Sequence, residues 1–511
     1  MDRTKNSIKN AITGMLLQVS TIFLSFFSRK IFLTYLGIEN LGLNSLLNSV
    51  ISVLSLSELG VYSAMTYALY EPLKDKDWFA ISHIMTLFKR IYSIIAVVIL
   101  TLGTCLIPFL SYIVGETELS YSYIVYIYIL TVIQAASTYF FSYKRSLIAA
   151  DQKEYKIYKL DIIVKYLTVF GGIAVVVLTK SFPVFLYFSI IAGLANNIAM
   201  SIIVDKEYPE VKYNVSGSES VKYRKKLFVD VRYLFLNRLS GTISSSADNI
   251  LLSMFSGLSY TGKYSNYHSI NTNIEKVINS VSYGCSASMG NLLANKEYEN
   301  AKRILKEITF LVFCIVCICC NCLVTVSTPF VAWLFGSEYV ISNHFLIILI
   351  VIFYLRTMRY PGMIATDATG MFKIDKNVAI LAMVLNIVSS IIFAYRIGYI
   401  GIFYGTIAAQ LVVLGGKLYV FYRGYLKESI IPHAIYVLKL SCFTVATCTL
   451  SWISCSNLYI KNEFLGIVVY GMLSLLISCL MIFAFFRKSE EYIGLKNRIM
   501  RLIKKLCWMI L

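Results

Sequence analysis

The sequence is poor in charge. Only 15% of its 511 residues are Asp, Glu, Lys or Arg, against 58% hydrophobic residues. Mean hydropathy is +0.69. A water-soluble domain has too little interior to bury that much apolar surface, so lipid must be the main solvent. No hydrophilic segment is long enough for a separate soluble domain. Catalytic signatures are missing too. There is no phosphate-binding glycine loop with its Lys, which excludes an ATPase. There is no serine nucleophile elbow and no zinc-protease helix. No large loop carries the paired carboxylates that acid–base glycosyl transfer requires. Twelve Cys are present, and Cys314, Cys317, Cys319, Cys320 and Cys322 crowd one apolar stretch. They lack His or carboxylate partners at ligand spacing, so they read as small apolar filler and no metal is expected.

What is present is a succession of apolar stretches, each near the roughly 20 residues that a membrane span needs. They fall at 11–33, 42–68, 91–114, 121–146, 158–179, 183–204, 232–255, 262–290, 307–334, 341–364, 378–395, 400–421, 434–455 and 464–486. The expected fold class is therefore an all-α polytopic membrane protein with about 14 transmembrane helices. The basic start, Met1 to Asn10, runs straight into the first span and reads as an uncleaved segment. The net charge of +19 has a topological explanation. With the N-terminus inside, about 34 of the 47 Lys and Arg residues fall on the inner side, the bias that sets orientation. Both termini are thus expected in the cytoplasm. The same residues suit anionic lipid head groups, and nucleic acid is not an expected partner.

A shift of 220 residues superposes loop residues of the two halves. Gly37 and Gly42 fall on Gly257 and Gly262, Lys76 on Lys296, and Glu118 on Glu338. Lys153 and Lys156 fall on Lys373 and Lys376. A duplicated six-helix unit predicts this. Six is even, so the copies point the same way, related by a pseudo-twofold axis along the membrane normal. The expected organisation is an N-terminal six-helix lobe at 1–204, a cytoplasmic linker at 205–231 and a C-terminal six-helix lobe at 232–421. Two additional transmembrane helices follow at 434–486. A basic tail at 487–511 alternates Ile493, Ile499, Leu502, Ile503 and Leu506 with Lys496, Arg498, Arg501, Lys504 and Lys505, as a surface helix would.

Polar groups in lipid are costly, so they should face protein or water. The second span carries Asn44, Asn48, Ser55, Glu58 and Tyr62 on one face. The eighth carries His268, Thr272, Glu275, Asn279 and Ser282, with Lys276 beside them. The seventh carries Arg238, Thr242, Ser245 and Asn249, with Asp248 at the edge, and the first carries Gln18, Ser25 and Arg29. Under the shift Gln18 maps to Arg238, Ser25 to Ser245, Arg29 to Asn249, Asn48 to His268 and Ser55 to Glu275. One cavity between the lobes, lined by these four spans, is the economical expectation. Each Ser or Asn can instead act as interhelical glue, and Arg29 can snorkel to the outer interface. Arg356 and Arg359, near the cytoplasmic end of the tenth span, suit phosphate binding but are read first as orientation-setting charges.

The run Arg29-Lys30-Ile31-Phe32-Leu33, then Leu36-Gly37, Glu39, Leu41-Gly42-Leu43, Leu54-Ser55, Glu58-Leu59-Gly60 and Leu69-Tyr70 with Pro72-Leu73 resembles bacterial polysaccharide-unit flippases. Asp248, Gly262, Tyr264-Ser265 and Tyr267 are similar to that family's seventh and eighth helices. The family belongs to the multidrug/oligosaccharidyl-lipid/polysaccharide exporter superfamily. The resemblance implies two six-helix lobes working by alternating access in a bacterial cytoplasmic membrane. It implies transport of an isoprenoid-pyrophosphate-linked oligosaccharide from the cytoplasmic to the outer leaflet, for surface lipopolysaccharide or capsule. Arg binds phosphate and pyrophosphate well, so Arg29 and Arg238 are the first substrate-binding candidates. Asn44, Asn48, Asn249 and His268 complete that set. Glu58, Asp248 and Glu275 are candidates for coupling to Na+ or H+; no other cofactor is expected. Polysaccharide polymerases or glycosyltransferases are the expected partners. A cation-coupled multidrug/toxin antiporter of the same superfamily is the alternative, and a membrane polysaccharide polymerase a more distant one.

Overall fold

The computed structural model describes residues 2–55, 61–215, 220–458, 460–498 and 500. Glu58, most of the Ser216–Ser220 run, and the tail from Arg501 onward, with Ile499, lie outside the described residues. The described residues are predominantly helical, with no strand among them, and fall in two compact units, Met1–Gly262 and Lys263–Leu511. Unit 1 holds α1 (Asp2–Leu54), α2 (Val61–Asp75), α3 (Trp78–Leu106), α4 (Leu110–Val114), α5 (Tyr121–Ser142), α6 (Arg145–Ala150), α7 (Tyr155–Thr179) and α8 (Phe182–Glu207). It ends within α9 (Ser220–Tyr283). Unit 2 continues with α10 (Ser286–Ala294), α11 (Tyr298–Phe335), α12 (Asn343–Met358), α13 (Tyr360–Thr369), α14 (Phe372–Ile397), α15 (Ile400–Tyr419), α16 (Ile431–Ser456) and α17 (Glu463–Phe486).

Among the described residues, ten helices are long and apolar enough to cross a membrane. The other expected spans, 11–33, 42–68, 232–255 and 262–290, fall on α1, α2 and α9. In unit 1, α1 packs on α7, and α5 packs on α3 and α8. In unit 2, α11 packs on α12, α16 and α17, and α14 on α15. Side chains start several helices by accepting from an otherwise orphaned backbone N–H. Asp77 receives Ala80 N at 2.9 Å, Ser342 receives Phe345 N at 3.3 Å and Asn462 receives Leu465 N at 3.1 Å.

The 220-residue shift recurs in the backbone. Gly37 (φ 82°, ψ 170°) bends α1, and Gly257 (φ 74°, ψ −179°) bends α9. Only glycine occupies that region without strain. Lys76 and Lys296 both adopt left-handed backbone, φ 54° and 60°. The turn around each is closed by the same bond, Asp77 N to Pro72 O and Glu297 N to Leu292 O, both 2.9 Å. The two bends also touch each other reciprocally. A Cβ on Gly42 would lie 2.0 Å from Leu258 O, and a Cβ on Gly262 would lie 2.6 Å from Ile38 O. Ile38 and Leu258 are themselves 220 residues apart.

The loop after α4 is tied to these bends. Glu39, a residue of the recognisable motif, accepts Thr117 Oγ1 at 2.8 Å and Glu118 N at 3.0 Å. Tyr123 Oη donates to Asn40 Oδ1 at 2.9 Å, and Leu258 N donates to Glu116 O at 3.2 Å. The motif thus folds the chain locally at its Glu39.

Candidate polar face and charged clusters

The arm of α1 beyond Gly37 is two-faced. Leu43, Leu46, Leu47, Val50 and Leu54 are buried. Asn48 and Ser52 are exposed, and Asn44 and Ser55 are half-buried. Asn48 Nδ2 donates to Asn44 O at 2.8 Å, and Ser52 Oγ donates to Asn48 O at 2.8 Å. Helical spacing of four places these groups in one column. Their hydrogen bonds run along the helix, so the outward capacity of the amides and hydroxyls is left for water or a polar ligand.

The other expected residues separate. Arg29 is half-buried on the first arm of α1. The backbone of Arg238 lies in α9, but its side chain, like that of Gln18, is outside the described residues. Asn249 is buried, and its Nδ2 donates to Ser49 Oγ at 2.9 Å, tying α9 to α1 within unit 1. Asp248 is 1% exposed. His268 is half-buried, with Nδ1 3.2 Å from Tyr264 Oη and the two rings stacked at 5.3 Å.

Glu275 is brought beside Arg356 and Arg359 inside unit 2. Arg356 is 8% exposed, so it is no loop charge. Arg359 donates from Nη1 to Gln410 Oε1 at 2.9 Å, while its buried Nε has no hydrogen-bond partner among the described residues. Nearby in sequence, Tyr283 Oη donates to Asp367 Oδ2 at 3.1 Å. The side chains of Lys417 and Asp375 form a buried ion pair at 2.5 Å between α15 and α14. Sequence reasoning passed over that pair. Its signal was a lone Lys in an apolar span, which demands a partner.

Charges near the helix ends of unit 1 are largely paired. Lys144 meets Asp205 at 2.6 Å, Arg145 meets Asp161 at 2.9 Å, and Lys153 meets Glu207 at 2.9 Å. The cysteines of α11 are free thiols, half-buried or buried. Among the described residues no group of three or more His, Cys, Asp or Glu is placed to hold a metal. Unit 2 also carries an open apolar groove of ≈ 670 Å³ walled by α11, α12, α15 and α16, with Ile347, Leu411, Val437 and Trp452 among its lining.

A chain whose described residues form ten helices long and apolar enough to cross a membrane is a multi-pass membrane protein. It belongs to the polysaccharide biosynthesis protein family, whose sequence model matches residues 7–285. No curated protein sequence matches the chain. Among solved structures it resembles the lipid II flippase MurJ in an inward closed conformation, with TM-score 0.69 and 14% identity over 94% of this chain and 99% of that one. It also resembles an inward-facing multidrug resistance MATE family transporter of the MOP superfamily, with TM-score 0.61 and 14% identity over 79% and 96%. An outward-facing MATE family transporter matches with TM-score 0.55 and 14% identity over 82% and 95%. At these identities the likeness establishes the fold, which is that of the superfamily read from residues 29–73 and 248–267.

Proposed function

We propose that the protein is a flippase, not an enzyme, for an isoprenoid-pyrophosphate-linked oligosaccharide. It carries the cargo by alternating access from the cytoplasmic to the outer leaflet of a bacterial cytoplasmic membrane, for lipopolysaccharide or capsule. The observation that carries the reading is the exposed Asn44–Asn48–Ser52 column backed by buried leucines. A sugar chain needs such amide and hydroxyl groups, and a bilayer does not tolerate them facing acyl chains. Arg29 and Arg238 are assigned to the pyrophosphate, since a guanidinium fork grips two oxygens where an ammonium cannot.

The test is complementation of a strain that lacks its own flippase and therefore its surface glycan. Arg29→Ala and Arg238→Ala should insert at normal levels yet leave lipid-linked glycan inside, with the Lys variants in between. Normal surface glycan from the double Ala variant would remove both Arg from the transport path. The antiporter reading rests on a different observation, the carboxylate of Asp248 buried at 1% exposure. A buried carboxylate can drive a conformational cycle only if it binds a cation differently in the two states. Glu58, Asp248 and Glu275 are each tested by Gln or Asn replacement. Loss of gradient-dependent drug resistance with intact glycan export would move the assignment to the antiporter.

A further inference from the structure

A cavity of ≈ 540 Å³ opens on unit 1 where the end of α5, the start of α3 and the strand of chain after α8 meet. Three cations line it: Lys89 from α3, Lys144 just past α5, and Lys212 from the segment after α8. Its other lining groups are aromatic rings, including Phe140 and Tyr213, and the amide of Asn214. No carboxylate lines it.

The cavity is built. The segment after α8 is fastened across α3 by Lys212 N to Ser82 Oγ at 3.0 Å and Val215 N to Thr86 Oγ1 at 3.2 Å. Lys89 Nζ donates to Asn214 Oδ1 at 2.9 Å, while Tyr208 and Val211 of the same segment are buried. Lys144 is 6% exposed; it donates to Asp205 and to Ser201 Oγ, 2.7 Å away, and sits 4.3 Å from the centre of the Tyr213 ring. Burial first, then the Asp205 carboxylate, holds the Tyr213 phenol above its usual range, so it stays a protonated hydroxyl. Asp205 offsets one of the three lysines. Lys89 donates to the neutral amide of Asn214, and Lys212 is exposed. The cavity therefore carries an excess of positive charge on an aromatic floor, with no anion supplied by its lining.

We propose that this cavity binds a phosphate group, taken from the headgroup of an anionic phospholipid. The rim argues for the lipid. Phe140 is 48% exposed at the end of an apolar span, where aromatic rings mark the headgroup level. A phosphodiester at that level reaches Lys89 and Lys212, with the buried Lys144 behind them, while its acyl chains remain beside α5. Bound there, it joins the segment after α8 to α3 and α5. The proposal does not depend on which cargo the protein carries.

The experiment uses the full-length protein in detergent, titrated with phosphatidylglycerol or phosphatidylcholine, with the unfolding temperature as readout. Phosphatidylglycerol should stabilise the wild type saturably and more than phosphatidylcholine. Lysines near an anionic headgroup are worth about 1 kcal/mol each, so Lys89→Ala with Lys212→Ala should weaken the apparent affinity roughly 30-fold. The corresponding double Arg variant should retain it. Ser82→Ala removes the hydrogen bond that fastens the segment after α8 to α3, at a residue outside the cavity lining and without touching charge; it should bind like the wild type, which separates a loosened fold from a lost anion site. If inorganic phosphate in phosphatidylcholine reproduces the stabilisation, and the double Ala variant loses it, the site is a phosphate site with a soluble source. Equal phosphatidylglycerol response in the wild type and the double Ala variant would overturn the proposal.

Discussion

Two sets of polar residues lie in apolar surroundings, and they behave in opposite ways. On α1, Asn44, Asn48 and Ser52 stand outside the packed core, and their hydrogen bonds stay within the helix. On α11, Asn321 and Thr325 are buried and bond across helices. Asn321 Nδ2 reaches Thr447 Oγ1 at 3.1 Å, Ser451 Oγ donates to Asn321 Oδ1 at 2.6 Å, and Thr325 and Ser474 hydroxyls meet at 2.8 Å. The second set fastens α16 and α17, the helices beyond the repeat, onto α11. Residue types and spacing are alike in both. What separates them is whether the hydrogen bonds are closed inside the protein, and only the closed set is glue.

Four variants test that division. The largest effect should come from Asn44→Leu with Asn48→Leu. Glycan export should fall about tenfold or more, equivalent to at least ~1.4 kcal/mol of barrier, while the unfolding temperature of the solubilised protein holds. Normal export would make the α1 column a lipid- or protein-facing surface. Asn321→Leu should do the reverse. It breaks several closed bonds and orphans Ser451, so stability should drop by about 1–2 kcal/mol, with export per folded molecule unchanged. Thr325→Val removes a single interhelical bond and should cost only about 0.6 kcal/mol, the typical value within a membrane. Asn249→Leu is the sharpest discriminator and the smallest change in stability, about 0.5 kcal/mol, since it loses one bond to Ser49. If export falls with it far beyond that figure, Asn249 belongs with the α1 column.

Much of the fold was legible in the sequence because it rests on local rules. Hydrophobic runs of span length become helices whatever their neighbours. Gly37 and Gly257 could be paired at a 220-residue offset because their backbone conformation admits little else. The site was less legible. Helical spacing groups Asn44 with Asn48, and Asn249 with Ser245, but does not say which group finds a partner on another helix. Arg356 and Arg359 read first as orientation-setting charges, and counting Lys and Arg gave no sign that Arg356 is 8% exposed or that Glu275 acts on both electrostatically. Lys144 is likewise buried against Asp205, a pairing that a count of Lys and Arg does not reveal. The motif residue Glu39, recognisable by resemblance, gave no hint that it accepts from Thr117 and Glu118, because that contact depends on where a loop 78 residues away returns.

The reciprocal approach of Gly42 to Leu258 O and of Gly262 to Ile38 O has an ancestral meaning. When residue i of one copy touches residue j of another, and j touches i in return, the contact has the form of a twofold self-interface. A half-length ancestor that paired with its own twin would have made both approaches from a single glycine and a single isoleucine or leucine carbonyl. Under that reading, duplication and fusion would have made two positions of one, 220 residues apart. A side chain at either glycine would push against main chain at the other bend, 2.0 Å from Leu258 O or 2.6 Å from Ile38 O.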